Sequence, residues 1–172
     1  MSAVEFQPLG TAVLTVSDTR TLEQDASGAY LCEAATAAGH RLIERALIPD
    51  DIYQIRAVVS RWIAAADIRA ILITGGTGFT GRDSTPEAVT PLLDKTMPGF
   101  GEMFRWLSYG DIGSSTMQSR ALAGLANSHF VFCLPGSTSA CRLAWEKLIA
   151  PQLDIRTKPC NLAALVPRLG ER

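Results

Sequence analysis

The stretch "ILITGGTGFTGRDSTPEAV", Ile71 to Val89, sets a glycine-rich run between an apolar segment and a helix start. Gly75, Gly76, Gly78 and Gly81 leave bare backbone that an anion can approach, and Arg82 and Asp83 add a cation and a carboxylate. An arginine can hold a phosphate and a carboxylate can hold magnesium, so the set suits a nucleotide or another phosphate ester. The plainer role for Asp83 is a helix-start residue favoured by the helix dipole. A second turn, "CLPGSTSA", places Pro135 and Gly136 at a strand end and Ser137, Thr138 and Ser139 at a helix start. Its amides form an anion site, or Ser137 simply caps the helix. In a third turn, "TVSDT", Ser17 and Asp18 follow the first apolar run.

Two nucleotide-loop readings fail on particular residues. Gly76-x-Gly78-x-x-Gly81 matches the dinucleotide fingerprint, which opens its helix inside the glycine motif. That would bury Pro86 about two turns into the helix, where proline costs about 3 kcal/mol. Ser84-x-x-Glu87 reads instead as a capping box, with Thr85 before Pro86 as an alternative cap. The loop therefore spans 75–84, too long for a dinucleotide turn. "TGGTGFTG" does look like the cofactor loop of extended short-chain dehydrogenases, which need a tyrosine with a lysine four residues on. Tyr30, Tyr53 and Tyr109 are followed at that spacing by Ala34, Ala57 and Gly113. A phosphate loop of the Walker type wants lysine and a hydroxyl where Arg82 and Asp83 stand.

The elements that must carry these turns alternate. "TAVLTV" (Thr11 to Val16) reads as a buried strand, "RLIERALI" as a second strand and "AILIT" (Ala70 to Thr74) as a third. Between them lie a helix with Leu31, Ala34, Ala35 and Ala38 on one face, ending at Gly39, and a helix capped by Asp50 or Asp51 with Ile55, Val59 and Trp62 on its stripe. That order predicts an α/β fold with a parallel sheet whose strand ends bring the three turns to one edge. The second half predicts short helices over 86–93 and 99–110, a hairpin over 121–136 turning at Asn127-Ser128, and a helix over 137–153. The segment 154–172 reads as a tail lying on the surface or on a partner. Exposed Phe100, Phe104 and Trp106 would suit a scaffold, although core packing is the commoner role.

The 172 residues fit one domain, and 47% hydrophobic residues supply a core. A net charge of −1 offers nothing to neutralise a nucleic-acid backbone. No run of about 18 apolar residues predicts a membrane span, and "MSAVEFQPLG" lacks the features of a signal peptide. Cys32, Cys133, Cys141 and Cys160 form no C-x-x-C pair, which predicts reduced, buried thiols in a cytoplasmic protein. His40 and His129 lack neighbouring ligands for zinc.

Together, "TGGTGFTGRDSTPEA", "PGFGEMFR", Ser119-Arg120 and "LPGS" resemble the molybdenum-cofactor biosynthesis B/Mog family, which includes molybdopterin adenylyltransferases and gephyrin-like domains. The resemblance runs from "AVLTVSDTR" to about "APQLD", and the last twenty residues look closer to the B branch. It implies a single domain over 1–172: a three-layer α/β/α sandwich, mostly parallel, with an antiparallel edge hairpin. It implies a homotrimer, or a homohexamer as a dimer of trimers, and a reaction that joins AMP from ATP to the terminal phosphate of molybdopterin with magnesium, releasing pyrophosphate. By resemblance, Asp83 and Asp50 are the catalytic carboxylates, expected to hold magnesium directly or through water. Gly75, Gly76, Thr77 and Gly78 would line the phosphate and pterin site. Ser17, Asp18, Ser119, Pro135, Gly136 and Ser137 would close it, and Arg82 would clamp a phosphate. Ser137-Thr138 stands where many active relatives have asparagine or glutamine and then proline. That departure belongs to the B branch and keeps open a non-catalytic carrier of molybdopterin.

Overall fold

The computed structural model describes residues 4–171; Met1 to Ala3 and Arg172, the ends of the expected 1–172 domain, lie outside the described residues. Its strands are β1 (Gly10–Val16), β2 (Arg41–Ile48), β3 (Ala70–Thr74), β4 (Lys95–Thr96), β5 (Leu122–Ala126) and β6 (His129–Leu134). They form one sheet in the order β2-β1-β3-β6-β5-β4. The pairs β1–β2, β1–β3 and β3–β6 are parallel, and β6–β5 and β5–β4 antiparallel. The predicted hairpin is present, turning at Asn127 (φ 44°) and Ser128 (φ 66°), the two positive-φ positions of a type I′ turn. The two-residue β4, too short to show a period, lies outside β5 and forms the edge.

β1, β3 and β6 read as continuous apolar runs because both their faces are covered. Val13, Leu72, Phe130 and Phe132 pack on one side; Ala12, Leu14, Ile71, Ile73 and Val131 pack on the other. The first layer consists of α1 (Ala26–Ala37), α4 (Pro98–Ile112), α5 (Thr138–Ala144) and, beyond a π turn at Trp145–Ile149, α6 (Ala150–Leu153). The second holds α2 (Ile52–Ile63) and α3 (Thr85–Val89). This is the expected three-layer sandwich. Asp51, not Asp50, caps α2 by accepting from the amides of Tyr53 (3.0 Å) and Gln54 (2.9 Å).

Several expectations change with packing. Ala38 is exposed beyond the last turn of α1. Phe100 and Phe104 are buried under α4, leaving Trp106 exposed. Cys32, Cys133 and Cys141 are buried, and burial pushes the Cys141 thiol up to about 11, but Cys160 is exposed. His40 accepts from the Leu9 amide, and His129 bonds the carbonyls of Asn127 and Ala65. The tail packs on the core: Ala163 is buried, and Asn161 bonds the carbonyls of Ile155 and Thr157. No helix among the described residues is long and apolar enough to cross a membrane.

The apolar alternation stops at the carboxyl ends of the parallel strands. Thr15 and Thr74 are register partners on β1 and β3, fully buried, and they turn hydroxyls into the first layer. Thr15 donates to Asp25 (2.6 Å), the N-cap of α1, which also accepts from the Gly28 amide (2.9 Å) and pairs with Arg45 (2.9 Å). Ser27 bonds both Asp25 and Thr74. A buried polar network therefore replaces hydrocarbon beneath this end of the sheet.

Candidate functional site

The connection from β1 to β2 moves to one side of β1, and the next returns to β3 on its other side. That reversal opens a crevice at the carboxyl ends of β1 and β3, the usual ligand position in open α/β sheets. A cleft of about 650 Å³ lies there, within the size range of small-molecule sites. The three predicted turns all reach it. Its floor is Ser17, the Gly75–Gly78 run and Pro135-Gly136-Ser137; Asp83 and Ser119 also line it.

The glycine run follows β3 in a conformation that suits glycine. Gly75 has φ 101° and Gly76 φ 67°. A Cβ on Gly75 would stand 2.1 Å from the Val16 carbonyl oxygen, and one on Gly76 2.3 Å from the Thr85 hydroxyl. Neighbours hold the loop by its carbonyls. Thr85 donates its hydroxyl to Gly75 O (2.8 Å) and its amide to Gly76 O (3.0 Å). Arg120 donates its amide to Thr77 O (3.2 Å), Nε to Gly78 O (2.7 Å) and Nη2 to Asp83 O (2.7 Å). The amides of Gly76 and Thr77 donate to no group among the described residues. With acceptors satisfied and donors open, this backbone is polarised to receive an anion.

The helix start at Thr85 confirms the long loop, but the capping box does not form. Ser84 donates its hydroxyl to Asp50, and Glu87 pairs with Arg120. Tertiary partners thus displace the local cap. Arg120 reaches the loop from before β5, so sequence distance hides its role. Arg120→Ala is expected to raise exchange of the bonded amides of Thr80, Asp83 and Ser84 by roughly tenfold with little effect on the core strands, because it frees the carbonyls that hold the loop. Hydrogen exchange checks this; unchanged exchange there would show that Thr85 alone suffices.

Asp83 lines the cleft and accepts from the Thr80 hydroxyl (2.6 Å) and amide (2.8 Å). The Thr80 hydroxyl, against a smaller effect of burial, holds its carboxyl below the usual aspartate range. Asp50, Asp18 and Arg82 do not line the cleft. Asp50 sits behind Gly76, with its carboxylate on Ser84. Burial, helped by the charges of Asp18 and Asp83, raises its pKa despite the Ser84 bonds. Arg82, the expected phosphate clamp, is turned to Asp18 through Nη2 (2.6 Å) and Nε (3.0 Å), and Asp18 also accepts the Asp50 amide (3.0 Å). These three residues brace the outside of the loop.

The opposite wall is α4 and the turn after it. Phe104, Ser108 and Asp111 line the cleft from one helical face, and Gln118 joins them. Their spacing of four and three residues was a readable signal: polar groups share the stripe of a buried phenylalanine. Arg20, beyond the "SDT" turn, also lines the cleft, and no motif singled it out.

Known proteins share this fold. A family model described as "Probable molybdopterin binding domain" matches residues 12–155. Molybdenum cofactor biosynthesis protein B of Escherichia coli (strain K12) is 55% identical over 159 residues, 92% of this chain and 94% of that protein. Its namesake in Bacillus subtilis (strain 168) is 45% identical over 142 residues, 82% and 84% of the two chains. A crystal structure of molybdenum cofactor biosynthesis protein B superposes with a TM-score of 0.86 at 41% identity, covering 96% of this chain and 98% of that one. The tungsten cofactor synthesizing protein MoaB from Pyrococcus furiosus gives 0.74 at 32% identity, covering 81% and 89%. The matched span contains the glycine loop, Asp83, Ser119 and the Pro135-Gly136-Ser137 turn, and the chain belongs to the molybdenum cofactor biosynthesis protein B family.

Proposed function

We propose that the cleft binds molybdopterin and that the protein adenylates its terminal phosphate with magnesium-ATP, releasing pyrophosphate. The polarised Gly75–Gly78 loop carries this reading, since open amides beside a carboxylate suit a phosphate and its metal. Asp83 is the carboxylate that would hold magnesium: it lines the cleft, and its lowered pKa keeps it ionised at neutral pH. A single carboxylate completed by phosphate oxygens is a donor set magnesium accepts. Bound there, the metal would offset charge on the reacting phosphates. Asp50, behind the loop, acts instead through Ser84, fixing the segment from which Asp83 projects.

The described residues lining the cleft include no histidine, cysteine or lysine. That suits a reaction whose acceptor is already an ionised phosphate and needs no activated side-chain nucleophile. The protein's work is then alignment: open amides on one phosphate, the Pro135–Ser137 turn on the facing side, and Phe104 on the apolar part of the ligand.

A second reading, a molybdopterin carrier without chemistry, is favoured by Ser137. Its hydroxyl accepts from the Ala140 amide (3.2 Å) as a helix cap, where active relatives of the other branch carry an amide side chain. The same family reading carries a cytoplasmic homotrimer or dimer of trimers; the exposed Trp106, Tyr109 and Met117 supply apolar surface that subunits could bury.

Transfer of label from α-labelled ATP to molybdopterin, with magnesium, tests the proposal. Label in the pterin product, dependent on magnesium, is the expected result. Saturable pterin binding with no transfer would replace the enzyme with the carrier.

A further inference from the structure

The described residues lining the cleft include one cation, Arg20, against two carboxylates, Asp83 and Asp111. Two features separate Arg20 from Arg120, the arginine that holds the glycine loop. First, Arg120 commits all three guanidinium nitrogens: Nε to Gly78 O, Nη2 to Asp83 O and Nη1 to Glu87. Arg20 commits only Nη1, which donates to Ser27 Oγ (3.0 Å) and Gly136 O (3.0 Å). Its Nε and Nη2 bond no group among the described residues, and neither is buried without a partner. Second, no carboxylate among the described residues neutralises it directly. The nearby buried Asp25 pairs with Arg45 and reaches Arg20 only through Ser27.

Arg20 is therefore held at one nitrogen and open along the edge formed by Nε and Nη2. That edge is the fork that meets two oxygens of a phosphate. The anchor is stiff, because Ser27 is fully buried and bonded to Asp25 and Thr74, both buried as well. The same nitrogen holds Gly136, so the guanidinium and the Pro135–Ser137 turn share one position.

Resting on the molybdopterin and ATP reading above, we infer that Arg20, rather than Arg82, is the side chain that recognises a phosphate in this cleft, through its uncommitted Nε–Nη2 edge. The ligand class is a phosphate monoester or a polyphosphate, and either the pterin or the nucleotide can present one.

The test compares affinities within two pairs: molybdopterin against its dephosphorylated form, and magnesium-ATP against adenosine. Wild type, Arg20→Gln and a charge control, Arg61→Gln, are titrated as full-length protein. Arg20→Gln is expected to reduce the preference for the phosphorylated member of one pair by roughly 10- to 100-fold, the usual effect of removing charge-assisted bonds. Loss in the pterin pair assigns Arg20 to the pterin phosphate; loss in the nucleotide pair assigns it to ATP. Preferences kept in both pairs, or equal weakening of both members, overturn the inference and leave Arg20 a structural residue. Wild type binding neither molybdopterin nor ATP overturns the functional reading itself, and this inference with it.

Labelling of wild type by phenylglyoxal, read by mass spectrometry, keeps the test open if Arg20→Gln does not fold. Modification at Arg20 is expected to be blocked by a phosphorylated ligand and not by its unphosphorylated partner. Equal modification with both would overturn the inference.

Discussion

Asp83→Asn is expected to lower adenylyl transfer from ATP to molybdopterin by roughly 10²- to 10³-fold, the range seen when one group stabilising transition-state charge is removed. Asparagine keeps an oxygen for the Thr80 amide, so the loop's shape survives while the charge is lost. Pterin binding should stay within about threefold of wild type, because the open amides of Gly76 and Thr77 do not depend on that charge. Asp83→Ala also removes the acceptor for Thr80 and should weaken binding as well as turnover. Label transfer and pterin titration on both variants separate the two contributions. Transfer at the wild-type rate by Asp83→Asn would remove this carboxylate from the metal site. Since hydrogen bonds from Thr80 hold the Asp83 pKa below the usual range, it should contribute no acid limb to the rate above about pH 4.

Asp25→Ala should destabilise the fold by about 3 kcal/mol, lowering the melting temperature by roughly 10 °C. The carboxylate is fully buried and accepts from Thr15, from Ser27 and from the Gly28 amide at the start of α1. Its removal costs a helix cap and leaves Arg45 unpaired, although Arg45 is 26% exposed and can turn to water. Burial alone would raise the Asp25 pKa, but the bonds from Thr15, Gly28 and Arg45 together hold it below the usual range. A depressed carboxyl pKa stabilises the fold above the unfolded value, near 3.9, and that contribution is lost as pH falls through the folded value. The urea midpoints of wild type and Asp25→Asn should therefore differ at pH 7 and converge below about pH 4. A constant difference across that range would show that the charge of Asp25 is not what stabilises this corner.

The parallel core was readable because a strand buried on both faces needs unbroken apolar side chains, as in "TAVLTV" and "AILIT". "RLIERALI", with Arg41, Glu44 and Arg45, also became a strand, but at the half-exposed edge of the sheet. The proline at position 86 set the loop length, since a helix interior rejects it, and α3 begins at Thr85. The three polar turns met at one edge because parallel strands all end in the same direction.

What the local pattern could not settle was which partner each polar group takes. Ser84 and Glu87 have capping-box spacing, yet bond Asp50 and Arg120 across the fold. Arg82 stands beside Asp83 in the chain and faces Asp18, while Arg20, far away in sequence, lines the cleft. Short-range spacing fixes helices and strands through backbone sterics and periodic burial. Long side chains choose among partners that only the packed layers bring within reach. The sequence by itself thus determined the parallel strands, the hairpin, the glycine loop and its family; the tertiary structure decided which cation, which carboxylate and which amides line the cleft.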